Sequence, residues 1–239
     1  MKEIQTRWFT LDSETAKNLF PRSEFGIFEA RPVDGSQVRG GIVVLQEIFG
    51  VNPHIRSVAE RYAQRGYTVW APALFDHLKT GVELAYDSRD FVKGRELVQN
   101  LGWDQPVEDI RRAVEGLNAS IGGKGVVTIG FCWGGALSWL AACRSRAAGL
   151  KASVCYYGRQ IWDFRNEKPQ CPVIMHFGRH DSLIPMANVD EIRASHPTIP
   201  VYVYEAGHGF HCDARADYNA EAAKLADERT MAFLKEIGL

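Results

Sequence analysis

The sequence predicts an α/β fold in which helices cover both faces of a mostly parallel central sheet, giving a three-layer sandwich. Short apolar runs alternate with longer segments of helical periodicity along most of the 239 residues. At least one run, residues 39–46, is almost continuously apolar, as a strand buried on both faces requires. The chain shows no internal repeat, low-complexity stretch or linker-like segment, so we expect one domain over residues 25–239, after a lead-in over residues 1–24.

In the first half of the chain, proline and glycine mark where several strands begin or end. Pro32 and the Asp34-Gly35 pair end the first well-defined strand, and Gly66 precedes the third. The predicted strands are residues 7–11 within the lead-in, 25–31, 39–46 and 66–72, and the predicted helices are residues 54–65 and 89–100.

The second half continues the alternation. A helix is predicted over residues 105–120, with Asp104 as its N-cap and Pro106 in its first turn. The strand 126–131 is followed by a helix to about residue 146. The remaining predicted strands are residues 151–157, 171–177 and 199–205, and the remaining predicted helices are residues 185–195 and 215–237.

The overall composition is that of an ordinary globular protein. A formal net charge of −1, with 24% charged residues, gives no sign of a surface for nucleic acid or an anionic membrane. The five cysteines are odd in number and lack C-x-x-C spacing, which argues against disulfides and against a zinc site. The polar start of the sequence and the absence of a long apolar run favour a cytoplasmic location with reduced thiols.

A nucleophile motif is centred on Cys132. The strand 126–131 ends at Gly130-Phe131, Cys132 follows, and Gly134 opens a helical pattern. With cysteine in the place of serine, this is the G-x-S-x-G nucleophile elbow, whose strained turn tolerates only small side chains two residues before and after the nucleophile. The helix N-terminus would favour a thiolate. A buried structural cysteine in an ordinary strand–loop–helix is the alternative.

Two further candidates follow later strands. Asp181 comes shortly after the strand 171–177, and His208 shortly after the strand 199–205. The chain order nucleophile, acid, histidine is that of the α/β-hydrolases. His208 would accept the proton of Cys132, and Asp181 would hold the imidazole tautomer.

Glu47 lies just beyond the strand 39–46, in the loop that helps to form the oxyanion hole in this fold. The backbone N–H groups of Ile48 and Trp133 would form that hole. A carboxylate beside it would oppose both an oxyanion and a nearby thiolate. A surface acid in a loop is the alternative explanation of Glu47.

Four sequence blocks carry a resemblance to the dienelactone hydrolase family of α/β-hydrolases: Gln46 to Asn52 (QEIFGVN), Gly130 to Gly135 (GFCWGG), Tyr156 to Gly158 (YYG) and Gly207 to Phe210 (GHGF). The resemblance runs from about residue 25 to the C-terminus. It implies a triad of Cys132, Asp181 and His208, with Glu47 receiving the hydrogen bond of the resting thiol. It also implies hydrolysis of an enol-lactone through an acyl-thioester, without metal or cofactor.

The substrate pocket departs from the family pattern. The family holds the substrate carboxylate with two arginines, whose positions here are Cys212 and, if Tyr86 is the matching tyrosine, Val82. Arg89, Arg159 and Arg215 are candidate replacements. The remaining residues expected to contact substrate are Tyr86, Tyr157, Phe210 and Cys212.

The sequence therefore predicts a carboxylic ester hydrolase (EC 3.1.1.-, with 3.1.1.45 as the family's specific activity) acting on a small ester or lactone. Two alternatives stay open: a general thiol-dependent esterase or lactonase for neutral substrates, and a non-catalytic scaffold that binds a small molecule. No nucleic acid, membrane, metal or cofactor partner is expected, and the oligomeric state is not indicated by the sequence.

Overall fold

An eight-stranded sheet organises the residues that the computed structural model describes, which are 1–11, 24–34 and 38–239. The strands are β1 (Ile4–Leu11), β2 (Phe25–Pro32), β3 (Gly41–Leu45), β4 (Thr68–Pro72), β5 (Val126–Phe131), β6 (Leu150–Tyr156), β7 (Val173–Gly178) and β8 (Val201–Tyr204). Their spatial order is β1-β2-β4-β3-β5-β6-β7-β8. Only the β1–β2 and β2–β4 pairs are antiparallel, so the sheet is mostly parallel, as predicted.

The α-helices are α1 (Pro53–Gln64), α2 (Ser88–Leu101), α3 (Asp104–Ser120), α4 (Trp133–Leu140), α5 (Met186–Ser195) and α6 (Ala220–Glu236). The crossover through α1 moves from β3 to β4, whereas the crossovers through α3, α4 and α5 move the other way across the sheet. Because parallel crossovers are right-handed, α1 lies on one face and α3, α4 and α5 lie on the other. An ion pair at 2.7 Å between Arg65, which follows α1, and Asp227 of α6 places α6 on the face of α1.

The two central strands are covered on both sides. Every residue of β3 and β5 is buried, which explains why residues 39–46 and 126–131 read as continuous apolar runs rather than alternating ones. The helix that follows β5 is buried along its whole length as well. These central elements therefore form a rigid support for the residues at the carboxyl end of the sheet.

The predicted elements are present, with the bounds of several strands and helices shifted by a few residues, and the larger differences concern how three helices begin or end. The closing helix begins at Ala220 rather than at residue 215, because Asn219 caps it by accepting a hydrogen bond from the Ala222 N–H at 3.0 Å. Asp104 is the first residue of α3 rather than its N-cap, which is Trp103. The helix after β5 ends as an α-helix at Leu140 and continues as a π-helical turn to Ser145.

The start of the chain contributes to the sheet. The strand predicted at residues 7–11 is the longer β1, which lies within the segment 1–24 and pairs with β2 over its whole length. The rest of that segment from residue 12 to 23, and Gly35 of the predicted turn, lie outside the described residues. Among the helices that the structure describes, none is both long and apolar enough to cross a membrane.

Candidate active site

Five neighbouring strands deliver the candidate residues to one edge of the sheet. Glu47 follows β3, Cys132 follows β5, Tyr157 follows β6, Asp181 follows β7 and His208 follows β8. Because these strands are parallel, their carboxyl ends meet at the same edge. The topology alone therefore brings residues that are far apart in sequence into one cluster.

Cys132 has the strained backbone of a nucleophile elbow. Its φ of 53° is positive, which is unusual for a residue other than glycine. A Cβ added at Gly130 would collide with the carbonyl oxygen of Gly134, and a Cβ added at Gly134 would lie 2.6 Å from the carbonyl oxygen of Gln46. The glycine requirement inferred from the sequence thus has a direct steric cause. The Cys132 N–H donates to the Tyr156 carbonyl at 3.0 Å, which fixes the turn.

The three predicted triad residues form a continuous chain of contacts. The Nε2 atom of His208 lies 3.2 Å from the Sγ atom of Cys132, and Nδ1 lies 2.7 Å from Oδ2 of Asp181. The other oxygen of Asp181 accepts the N–H groups of Leu183 and Ile184 at 2.8 and 3.1 Å. Asp181 and His208 are buried, so their contact is shielded from water, whereas Cys132 is partly exposed.

The electrostatics of His208 depend on its two partners. Burial by itself lowers the pKa of the imidazole, but the negative charge of a Cys132 thiolate and the contact with Asp181 outweigh burial and raise the pKa to about 10. A thiolate at Cys132 therefore stabilises the imidazolium of His208. The ring also packs edge-on against Tyr157, with ring centroids 5.2 Å apart.

The loop after β3 presents the first predicted oxyanion-hole group. In the described residues the N–H of Ile48 donates to no protein acceptor. Helix α2 approaches this loop so closely that a Cβ at Gly94 would collide with the Ile48 carbonyl oxygen. Leu84 donates its N–H to the Phe49 carbonyl at 2.9 Å, which ties the loop down from the other side.

The second predicted group, the N–H of Trp133, belongs to α4, the helix that follows Cys132. Trp133 is the first residue of α4, so its N–H has no partner one turn earlier. Its indole stacks on Phe75 with ring centroids 5.2 Å apart, which holds the start of the helix in place. Both predicted N–H groups are therefore available at the edge of the sheet that carries Cys132.

Glu47 is fully buried and has two partners. Its Oε2 accepts a hydrogen bond from the Tyr86 hydroxyl at 2.8 Å, and its Oε1 lies 3.3 Å from Nη1 of Arg215. The surface-acid explanation of Glu47 is therefore wrong. The arrangement also differs from the resting contact that the family resemblance implies, because the thiol of Cys132 faces His208 here.

Of the three candidate arginines, only Arg215 is brought against these residues. Its side chain is 15% exposed, and its guanidinium carbon lies 5.7 Å from the centre of the Tyr86 ring. Burial is the largest single influence and lowers the pKa of the Arg215 guanidinium, but the charge of Glu47, together with smaller contributions from Cys132, Tyr157 and Cys212, raises it overall. The Arg89 side chain is 79% exposed beside Asp90, and Arg159 is exposed after β6.

The other predicted substrate contacts surround this cluster. Tyr157 has a positive φ of 37° and a buried hydroxyl without a hydrogen-bond partner in the described chain. Phe210 is buried against Tyr157, with ring centroids 5.3 Å apart. Cys212 is buried beside Tyr86, and burial, followed by the charge of Glu47, raises the pKa of its thiol to about 11. Val82 packs near Gly50 and offers no charge.

Sequence reasoning missed the residues that orient Glu47. The Asn52 amide donates to the Tyr86 hydroxyl at 3.1 Å, while its Oδ1 accepts the Ile55 N–H at 3.2 Å and so caps α1. This directs the Tyr86 proton toward Glu47. Asn52 followed by Pro53 at the start of α1 signals a helix cap, but this pair gives no indication of the hydrogen bond from Asn52 to Tyr86.

The comparisons with known proteins agree with this architecture. A sequence profile of the dienelactone hydrolase family matches residues 28–238. A provisionally assigned carboxymethylenebutenolidase of Synechocystis sp. is 33% identical over 233 residues, covering 90% of this chain and 93% of that protein. The carboxymethylenebutenolidase of Pseudomonas putida is 31% identical over 201 residues, covering 81% of this chain and 84% of that protein.

A solved structure shows the same fold. The crystal structure of a provisionally assigned dienelactone hydrolase from Klebsiella pneumoniae superposes with a TM-score of 0.84 at 28% identity, covering 98% of this chain and 99% of that one. The mostly parallel sheet with helices on both faces is thus the α/β-hydrolase fold. The chain belongs to the dienelactone hydrolase family, and it is a carboxylic ester hydrolase.

Proposed function

We propose that this chain hydrolyses a small activated ester or lactone through an acyl-thioester on Cys132. The observation that carries the proposal is the chain of contacts from the sulfur through His208 to Asp181, at 3.2 and 2.7 Å. A thiol, a base and an orienting acid in this geometry are what nucleophilic catalysis requires. A non-catalytic scaffold would have no need for them.

The first half of the reaction is acylation. His208 holds the proton of the Cys132 thiol as an imidazolium, and the thiolate of Cys132 adds to the substrate carbonyl. The N–H groups of Ile48 and Trp133 stabilise the oxyanion that forms. The carbon–oxygen bond to the leaving group then breaks, and His208 returns the proton to the leaving oxygen. An enolate or another acidic leaving group suits this step because it needs little protonation.

The second half is deacylation. A water molecule adds to the thioester carbonyl while His208 accepts its proton. The carbon–sulfur bond breaks, the acid product leaves, and the proton stays on His208 beside the restored thiolate of Cys132. Asp181 holds Nδ1 protonated throughout, so Nε2 is the atom that exchanges protons with sulfur, leaving group and water.

The charges around Glu47 favour a neutral substrate. Arg215 is the cation closest to this cluster among the candidate arginines, and its charge is already paired with Glu47 at 3.3 Å. A substrate carboxylate would have to compete with Glu47 and would also be repelled by it. Charge-assisted hydrogen bonds contribute roughly 1.5–3 kcal/mol each, so losing the two arginines of the family pattern costs a carboxylate about two to four powers of ten in kcat/KM.

The experiment compares the parent enzyme with Cys132→Ala and His208→Ala on p-nitrophenyl acetate. We expect both variants to lose nearly all hydrolysis while circular dichroism shows them folded, because the triad acts as a unit. Mass spectrometry of the parent, quenched during turnover of a slow ester, should show one acyl group on the Cys132 peptide.

Cys171→Ala is the matched control, since it removes another partly buried thiol, which precedes β7 at the edge of the sheet opposite the cluster. It should keep parental activity. Folded Cys132→Ala protein that retains most of the activity would refute the proposed nucleophile.

A further inference from the structure

A second group of reactive side chains lies beside the proposed catalytic residues. One ring nitrogen of His54, the Sγ atom of Cys212 and one carboxylate oxygen of Asp213 all lie within 4.8 Å of one another. The hydrolysis proposed above uses none of these three residues. Imidazole, thiolate and carboxylate are the three ligand types that zinc prefers in proteins.

His54 is the residue that points to a ligand. It is only 4% exposed, and neither of its ring nitrogens makes a hydrogen bond to the part of the chain that the structure describes. A buried polar group without a partner is costly, and native proteins avoid it unless something else satisfies the group. The position of His54 in the first turn of α1 therefore needs an explanation.

An ion pair with Asp213 does not supply that explanation. The Nδ1 atom of His54 lies 3.4 Å from Oδ1 of Asp213, beyond the usual range of a good hydrogen bond. In a neutral imidazole one ring nitrogen carries a proton and the other keeps a lone pair. A neutral imidazole is the form that binds a metal ion.

The group is held by two well-fixed segments. Helix α1, capped by Asn52, positions His54. The turn that carries Cys212 and Asp213 is closed by hydrogen bonds from Cys212 N–H to the Gly209 carbonyl at 2.9 Å and from Arg215 N–H to the Cys212 carbonyl at 3.1 Å. Metal–ligand bonds of about 2.0–2.3 Å place tetrahedral ligands roughly 3.3–3.8 Å apart, so small side-chain rotations would complete the site.

We propose that His54, Cys212 and Asp213 form a binding site for a zinc-class divalent cation, with the fourth position open to water. On binding, the Cys212 thiol releases its proton to solvent, and the thiolate bonds to the metal. The Asp213 side chain is 60% exposed, which provides the route of entry. Because Cys212 and Glu47 both neighbour Tyr86, the proposed site adjoins the catalytic cluster.

The test uses Co²⁺ as a spectroscopic probe for zinc, in the Cys132→Ala variant so that the proposed nucleophile cannot bind it. We expect this variant to bind one equivalent of Co²⁺ with a near-ultraviolet charge-transfer band from thiolate to cobalt. Zn²⁺ should displace the Co²⁺ and remove the band. Adding Cys212→Ser should abolish the band, whereas adding Cys143→Ser, at another buried cysteine, should leave it unchanged.

The Co²⁺ affinity of Asp213→Asn gives a second test, which does not require changing a buried residue. The Asp213 side chain is mostly exposed, so the substitution should not disturb folding, and we expect at least about a tenfold loss of Co²⁺ affinity. Absence of the band in the Cys132→Ala protein, its persistence after Cys212→Ser, or an unchanged affinity after Asp213→Asn would each overturn the proposal. Since no measurement uses ester hydrolysis, these results are independent of the proposed activity.

Discussion

Replacing Asp181 by asparagine tests the proposed triad, because it changes which ring nitrogen of His208 carries the proton. Oδ1 of Asp181 accepts two backbone N–H groups, from Leu183 and Ile184, so the amide oxygen of asparagine would take that place. The amide NH₂ would then face Nδ1 of His208, where Oδ2 now lies at 2.7 Å. Nδ1 would have to accept a hydrogen bond, which moves the ring proton to Nε2 and leaves no atom to accept the thiol proton.

The size of the effect follows from this change of tautomer. In a serine triad the equivalent substitution lowers kcat by about 10⁴-fold. A thiol gives up its proton more readily than a hydroxyl. We therefore expect Asp181→Asn to lower kcat/KM for p-nitrophenyl acetate by about 10²- to 10⁴-fold, or roughly 3 to 5 kcal/mol. Stability should change little, because the two backbone hydrogen bonds are kept.

The assay needs one control and has one decisive outcome. Asp190→Asn changes a largely exposed aspartate on α5 and should leave kcat/KM at the parental value. If the folded Asp181→Asn variant stays within about threefold of the parent, His208 does not depend on Asp181 for its tautomer, and the reasoning fails.

Three further predictions concern the same cluster. Glu47→Gln should speed alkylation of Cys132 by iodoacetamide several-fold, because it removes a charge that opposes the thiolate. It should also lower turnover, because it leaves Arg215 without its partner. Unchanged rates of alkylation and turnover would contradict a role for Glu47. The parent should hydrolyse the methyl ester of a dienelactone with a kcat/KM at least as high as that of the free acid, whereas a strong preference for the acid would mean that Arg215 holds the carboxylate despite Glu47. The imidazole of His208 should stay protonated up to about pH 10 in the parent. Its pKa should fall in Cys132→Ala, because the thiolate that raises this pKa is gone. An NMR titration that gives His208 the same pKa in both proteins would refute the effect of Cys132 on His208.

The fold and the grouping of the candidate catalytic residues were predictable, because the local sequence patterns and the topology of a parallel sheet lead to the same arrangement. Glycine spacing fixed the elbow at Cys132, and the rule that parallel strands end at one edge placed Asp181 and His208 beside it. The sequence predicted only that these side chains would lie near one another, whereas the contacts at 2.7 and 3.2 Å depend on the loops that carry Asp181 and His208.

The position of Arg215 could not be predicted from the sequence. The helical periodicity of residues 215–237 assigned it to the closing helix, whereas it lies in the turn before α6. The turn carries its side chain over Gly209, where the positive φ of 78° suits glycine and a Cβ would lie 2.7 Å from Nε of Arg215. The proximity of His54 to Cys212 could not be predicted either, because it depends on tertiary packing and not on any local spacing in the sequence.

The charge changes at the sulfur explain how one histidine could serve both halves of the proposed reaction. While Cys132 is a thiolate, its charge helps to raise the pKa of His208 to about 10, so the ring holds the proton that the leaving group needs. In the acyl-thioester the sulfur carries no charge, and this cause of the raised pKa is lost. Burial then lowers the pKa of the ring against the remaining effect of Asp181, and His208 becomes a base for water at the step that requires one.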